Sequence, residues 1–433
     1  MNIQETRFKQ KRITIKSKIT FISLIIILFI FFPIISNPIH NLSLNILQLS
    51  YFNSNNNKFI NFQKFFYNNC YSEKFILFIL IINFNFVNLY KTFILFTSII
   101  LSKYITGILN LLHLKKPIFY LDNIKFSVNK FEYSYPSFII IEYTIFFCVI
   151  YKIICRRIKK KNQKLILKYL IIFYISLIIL NKFFLGINSL DEIIFSLYIS
   201  YILYYLFFNL IEVNFSNNIQ FYKIIQIEIK KLIILTIILI FFLIFIYYIK
   251  YEKEKEEELF NNLIISNKCN NNNNNNKIIF SNKSLANGLL LICEIFMFLG
   301  LKFELYYFNG EFSTWTQYNF EPQEDKLENY SIISDDLNLT LTEKISITKG
   351  AQWNHTNIVT SFIRLLLLLF LVFIIFLPTK YNFNLDNIYL NIINNNLIPW
   401  CLFSFGLSIF FKKIFKFFNL VNNAINVMLR ESL

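Results

Sequence analysis

Nine stretches of about twenty mostly apolar residues recur along this chain, and nothing constrains its fold more. The segment LIILTIILIFFLIFIYYI (Leu232 to Ile249) holds only Thr236 and two tyrosines as polar groups. A helix needs roughly 20 apolar residues to cross the hydrocarbon core of a bilayer. Inside that core every backbone N–H and C=O must be satisfied within the segment, which selects helices. Composition agrees: of 433 residues, 55% are hydrophobic, with a mean hydropathy of +0.49. The expected fold is an all-α polytopic transmembrane bundle of about nine spans.

In chain order, the expected spans begin with Ile19 to Ile35, after a basic leader holding Arg7, Lys9, Lys11, Arg12, Lys16 and Lys18. No small-residue cleavage site follows, so this reads as an uncleaved helix, with the amino terminus on the positive, matrix side. Residues 36 to 74 are polar and aromatic and read as a loop with membrane-surface pieces. Phe75 to Leu101 is interrupted by Asn83, Asn85, Asn88 and Lys91, which fits one long helix or two short ones. A connector is expected from Ser102 to Pro136, then a span from Ser137 to Ile154 carrying Glu142. Leu165 to Leu185 and Asp191 to Ile211 read as a hairpin turning at Gly186 and Asn188. Leu232 to Ile249, Ser284 to Phe308, Ile358 to Leu377 and Ile398 to Phe418 complete the set. The expected domains are an amino-terminal membrane extension (1–185), a central helical group (186–308), a hydrophilic acidic loop (309–357) and carboxyl-terminal helices (358–433).

The net charge of +17 does not point to nucleic acid. The lysines cluster beside apolar spans, where basic segments are drawn to anionic lipid. Six cysteines without a C-x-x-C pair exclude a metal or disulfide framework as the organising principle. Only three histidines, His40, His113 and His355, leave too few ligands for a haem or copper centre built from this chain alone. No phosphate loop, H-E-x-x-H or dinucleotide turn is present, so independent catalysis is not expected. Heavy use of Phe, Tyr, Ile, Asn and Lys, against 7 glycines and 7 prolines, marks an AT-rich gene of the kind kept in a protist mitochondrial genome. The expected location is the mitochondrial inner membrane.

Intramembrane charges are costly and mark function or pairing. The conspicuous ones are Glu142, Glu294, Lys302, Glu304 and Arg364. Glu294 lies mid-span and is the candidate functional carboxylate. It either hydrogen-bonds a neighbouring helix or lines a proton or ion path.

The segment GLLLICEIFMFLGLKFELYYF resembles the third transmembrane helix of cytochrome c oxidase subunit 3, through Gly288, Glu294, Phe296, Phe298, Gly300, Phe303 and Tyr306. The preceding LIFIYYIKYEKEKE is similar to that family's second helix, with Tyr247 and Tyr248 before Lys250, Glu252 and Glu254. The resemblance covers Leu232 to Phe308, and it implies a divergent or split respiratory-complex subunit with residues 1–185 as an added domain. It further implies a non-catalytic chain that binds no haem or copper itself, holds phospholipids, and leaves haem and copper to partner subunits. Its partners would be other inner-membrane subunits and lipids, with no nucleic acid and no small-molecule substrate. Two other readings stand beside it. SFIRLLLLLF resembles the helix of ATP synthase subunit a that presents an arginine to the rotor, here Arg364, and a purely structural supernumerary subunit also fits the composition.

Overall fold

The computed structural model describes residues 36–47, 73–86, 89–114, 135–155, 158, 160–206, 230–251, 280–307, 358–380, 388–418 and 420. Among these the protein is helical and contains no strand. The helices are α1 (36–47), α2 (Glu73–Phe86), α3 (Leu89–His113), α4 (Phe138–Cys155), α5 (Lys161–Phe184) and α6 (Leu190–Tyr205). They continue as α7 (Lys230–Tyr251), α8 (Phe280–Leu289), α9 (Ile292–Tyr307), α10 (Ile358–Lys380) and α11 (388–417).

Six segments among the described residues are long and apolar enough to cross a membrane: Thr92–His113, Lys161–Phe184, Lys230–Tyr251, Asn282–Phe303, Val359–Leu377 and Leu390–Phe410. The protein is therefore a multi-pass, all-α membrane protein. The expected first span, Ile19 to Ile35, lies outside the described residues, as do the Asn270 to Asn276 run and the acidic stretch Asn309 to Asn357.

The stretch 75–101 divides into α2 and α3, one of its two expected forms, but α3 differs from expectation in running on to His113 through residues expected to form a connector. The reason lies in its polar residues: Ser102, Lys103, Thr106 and Asn110 are buried against protein, not hydrated. Ser102 and Thr106 return their hydroxyls to the carbonyls of Ile99 and Ser102 on their own helix, so neither hydroxyl is left unsatisfied. Within 36–74, the piece 36–47 is an amphipathic helix, with Ser36, Ile39, His40, Ser43, Leu44 and Leu47 turned inward at helical spacing.

Contacts sort the chain into two compact units, with boundaries inside α2, inside α3, inside α7 and between α8 and α9. Unit 1 comprises residues 1–75, 97–214 and 238–291; unit 2 comprises 76–96, 215–237 and 292–433.

In unit 1, α4 packs against α5 and α6, and α3 crosses α8 at small residues. A Cβ added at Gly107 would lie 2.8 Å from the Ser284 carbonyl oxygen and 3.3 Å from the Gly288 nitrogen. Such close backbone approach replaces the missing hydrophobic drive between helices in lipid with dispersion contact. Helix α5 is the opposite case: Ile166, Tyr169, Leu170 and Phe173 are exposed, as suits a lipid-facing helix.

In unit 2, α9 packs on α11, and Phe96, Trp400, Phe403, Phe376 and Phe411 form an aromatic cluster with ring centroids 5.6 to 6.3 Å apart. Tilted and edge-on rings at that spacing add to the packing energy. In α11, two five-residue turns widened to i→i+5 hydrogen bonding, Ile393–Leu397 and Gly406–Phe410, flank Ile398–Phe405.

Candidate functional site

A set of buried polar residues lies in unit 1 on α3, α4, α5 and α6. Its core is an ion pair. Lys103, with a side chain 0% exposed, places Nζ 3.6 Å from Oε1 of Glu142, which is 2% exposed. The same ammonium sits 5.2 Å above the Phe138 ring. Charges this deep persist only with partners, because an isolated ion would forfeit its hydration without return.

The segment 135–137 enters α4 over this pair. The Asn110 amide, oriented to donate, lies 2.9 Å from the carbonyl oxygens of Tyr135 and Pro136. The backbone N–H of Ser137 donates to Ser196 Oγ at 2.8 Å, and that hydroxyl donates to the Glu192 carbonyl at 2.6 Å. Tyr135 stacks on Phe195 at 4.5 Å, and the His113 ring meets it edge-on at 4.6 Å. Burial pushes the Tyr135 phenol well above its ordinary pKa, and the charges of Asp191 and Glu192 push it further, so it stays neutral at physiological pH.

The α5–α6 turn closes the cluster. Gly186, at φ +65°, takes the left-handed conformation that a Cβ disfavours. The amides of Ile187 and Asn188 fold back onto the Lys182 carbonyl at 3.1 and 3.4 Å, satisfying the end of α5. At the start of α6, one oxygen of Glu192 accepts from the Ser189 amide at 3.1 Å and from the Asn188 side chain at 3.2 Å. This acidic residue three positions past Ser189 is the reciprocal half of a capping box. Helix α1 completes the enclosure. Ser43 Oγ accepts the Leu190 amide at 3.0 Å, and His40 Nδ1 lies 3.2 Å from Asp191 Oδ1.

Lys103 and Glu142 on α3 and α4, Lys182 at the end of α5, and Asp191 and Glu192 at the start of α6 are all buried in unit 1. Lysines and carboxylates are the residue types that bind anions and transfer protons. Among the described residues no three His, Cys, Asp or Glu side chains converge so as to hold a metal ion.

The residues singled out from sequence lie elsewhere, in both units. Glu294 is buried in unit 2 on α9, and Arg364, 0% exposed on α10, donates to Ser361 Oγ at 2.9 Å. The Ser361 carbonyl accepts from the Asn85 side chain at 2.9 Å. Gly300 faces Ser408, and Phe298 meets Phe93 with centroids 6.0 Å apart. In unit 1, Gly288 makes room for Leu243, Tyr247 donates to Asn282 at 2.7 Å, and Tyr248 is 68% exposed. Of the expected intramembrane charges, only Glu142 belongs to the polar cluster. Lys103, Lys182, Asn188, Asp191, Glu192 and His40 were missed. The available signal was a pair of lysines and a pair of acids set directly against apolar spans.

The fold and cluster define a multi-pass α-helical membrane protein with a buried, charged site. The model of the PAP2 superfamily matches residues 91–216, under a third of the chain and almost wholly within unit 1. No curated protein and no solved structure matches the chain.

This match overturns the likeness to cytochrome c oxidase subunit 3, and with it the assignment to a respiratory complex. The ATP synthase subunit a reading of Arg364 and the supernumerary-subunit reading also find no support. The physical reason is visible in the packing. Gly288, Gly300, Phe298 and Tyr247 serve helix-to-helix fit, which any apolar bundle rich in Phe and Tyr demands, so a short pattern of such residues carries little family information.

Proposed function

We propose that this is a membrane protein of phosphatase or phosphotransferase type that takes a phosphate ester, carried by a lipid, into the polar cluster of unit 1. One observation carries the reading. The matched range 91–216 contains Lys103, Asn110, Ser137, Glu142, Lys182, Asn188, Asp191 and Glu192, the residues that build the cluster.

The chemistry is consistent with this use. Phosphoryl transfer needs little covalent assistance and much electrostatic positioning, because charge spreads over the phosphoryl oxygens. The turn amides cannot supply it, since those of Gly186, Ile187, Asn188, Ser189 and Leu190 are already bonded within the protein. In this reading the cations Lys103 and Lys182 supply the positive charge for the phosphate oxygens, while Glu142, Asp191 and Glu192 are the groups able to move a proton. Burial raises the value of each charge by lowering the local dielectric. The lipid carrier follows from the setting, and it retains lipids as the expected partners. The mitochondrial inner membrane remains the proposed address, on the strength of the AT-rich composition.

The test is phosphate release from a dioleoyl lipid phosphomonoester in mixed micelles with the purified full-length protein. Release is expected, falling at least about 100-fold in Lys182→Met, the scale of losing one electrostatic stabiliser of a transition state. The reading is refuted if the wild type releases nothing and inorganic phosphate leaves its unfolding temperature unchanged.

A further inference from the structure

Helix α1 has three different surfaces. At about 100° per residue, Asn37, Asn41 and Asn45 form one row along it, and Pro38, Leu42 and Ile46 form a second, roughly 100° round from the first. Both rows are exposed, with Leu42 at 54% and Ile46 at 37%. The third surface, centred roughly 130° from each row, carries His40, Ser43 and Leu47 and faces protein. On it, His40 Nδ1 lies 3.2 Å from Asp191 Oδ1, and Ser43 Oγ accepts the Leu190 amide at 3.0 Å. A helix packed on a protein in water alone shows two faces, one apolar and inward, one polar and outward. A third, apolar and outward, belongs where hydrocarbon adjoins water.

The location of α1 agrees. Helix α5, Lys161–Phe184, is long and apolar enough to cross a membrane, and its Ile166, Tyr169, Leu170 and Phe173 are exposed. Only the short turn at Gly186 separates its end from Leu190, the first residue of α6. The start of α6 therefore stands at the level where α5 leaves the bilayer, and α1 is fastened to that start. Apolar exposure also occurs on the face of α6 that α1 touches: Ile194, one turn on from Asp191, is 46% exposed.

We propose that α1 is an interfacial helix lying along the bilayer surface beside α6, with Pro38, Leu42 and Ile46 in the outer acyl region of one leaflet and Asn37, Asn41 and Asn45 in water. Its partner is the lipid surface. A single row of three residues falls far short of the roughly 800 Å² that each partner buries in a stable protein interface, whereas a leaflet sets no minimum patch. Helix α1 contains no lysine, arginine, aspartate or glutamate, so apolar burial seats it, not attraction to anionic headgroups. The consequence is a fixed depth. With α1 held at the surface, His40 and Ser43 keep the start of α6, Asp191 included, at headgroup level. None of this depends on the phosphate-ester reading.

The experiment uses the full-length protein in nanodiscs of phosphatidylcholine alone. A prodan-type fluorescent amino acid replaces Leu42, Ile46, Asn41 or Asn45 in turn. Its quenching is measured with lipid doxyl-labelled near the top of the acyl chain and with iodide in the water. With the apolar face about 5–10 Å into the boundary, doxyl lipid should quench the probe at Leu42 and Ile46 at least about twofold more than at Asn41 and Asn45, and iodide should show the reverse order. Equal quenching at all four positions, or iodide quenching strongest at Leu42 and Ile46, overturns the proposal. Protection of Leu42 and Ile46 from both quenchers also overturns it, because a second copy or another protein would then cover the row. The unsubstituted protein decides the matter if a probe prevents folding. Lipid carrying a diazirine near the top of its acyl chain, photolysed in the same discs, should label Leu42 or Ile46 as well as Leu180 of α5, which is 48% exposed. Labelling of α5 without α1 counts against the interfacial helix.

Discussion

Replacing Lys103 by Met removes the cation 3.6 Å from Glu142, whose side chain is 2% exposed. Losing that cation favours the protonated, neutral carboxyl. Starting from an ordinary glutamate pKa of about 4.3, neutralising it at pH 7 costs about 3.7 kcal/mol, at about 1.36 kcal/mol per unit. At pH 5 the same step costs only about 1 kcal/mol. Lys103→Met should therefore be strongly destabilised at pH 7 and recover as pH falls. Glu142→Gln leaves the ammonium instead. From an ordinary lysine pKa of about 10.4, losing its proton costs about 4.6 kcal/mol at pH 7 and about 1.9 at pH 9, so this variant should recover as pH rises. Both magnitudes lie in the range of about 3–5 kcal/mol known for breaking one side of a buried pair. The double variant strands no charge and should return to within about 2 kcal/mol of wild type. The assay is the unfolding midpoint in mixed SDS–detergent micelles at pH 5, 7 and 9. Two single variants with the same pH slope, or with no loss beyond about 1 kcal/mol, would show that the pair is hydrated and the cluster open to water.

Three further outcomes follow from unit-level packing. Gly107→Ala must push its new Cβ against the Ser284 carbonyl, 2.8 Å away, and should lower stability by about 1–3 kcal/mol in the same micelle assay. Cys293 and Cys401 hold their sulfurs 3.6 Å apart inside unit 2, so a membrane-permeant oxidant should join them, detected as one linked peptide pair by mass spectrometry and lost in Cys401→Ser. Ser196→Ala leaves the Ser137 amide without its acceptor and should cost about 1–3 kcal/mol, read by thermal unfolding; no loss would mean that water replaces the hydroxyl there.

The apolar segments were readable because a lipid-facing helix has to be apolar whatever it packs against. Helix α7 and the α5–α6 hairpin lie where hydropathy places them, and the left-handed Gly186 sits at the expected turn. Hydropathy failed where polar residues face protein. Ser102, Lys103, Thr106 and Asn110 lowered the apolar score enough to suggest a connector, although each is buried on one continuous helix.

The candidate site was hidden for a related reason. A lysine beside an apolar run ordinarily snorkels to the interface, so in a chain with 43 Lys and Arg residues the position of Lys103 or Lys182 says little by itself. What distinguishes them is the partner, and the partners are remote: Glu142 lies 39 residues from Lys103, and His40 reaches Asp191 across 151. Periodicity within one segment carries no trace of such pairings. Glu294 shows the converse, since a carboxylate at mid-span drew attention for its depth, whereas Asp191 and Glu192, at the start of a helix, looked like ordinary solvated caps. They are 1% and 0% exposed, with His40 of α1 against Asp191 and Ser43 of α1 on the adjoining Leu190 amide. In a bundle whose apolar surface already belongs to lipid, a helix end roofed by another helix becomes a place where charge is buried, and a search for function has to weigh such ends as heavily as the middles of spans.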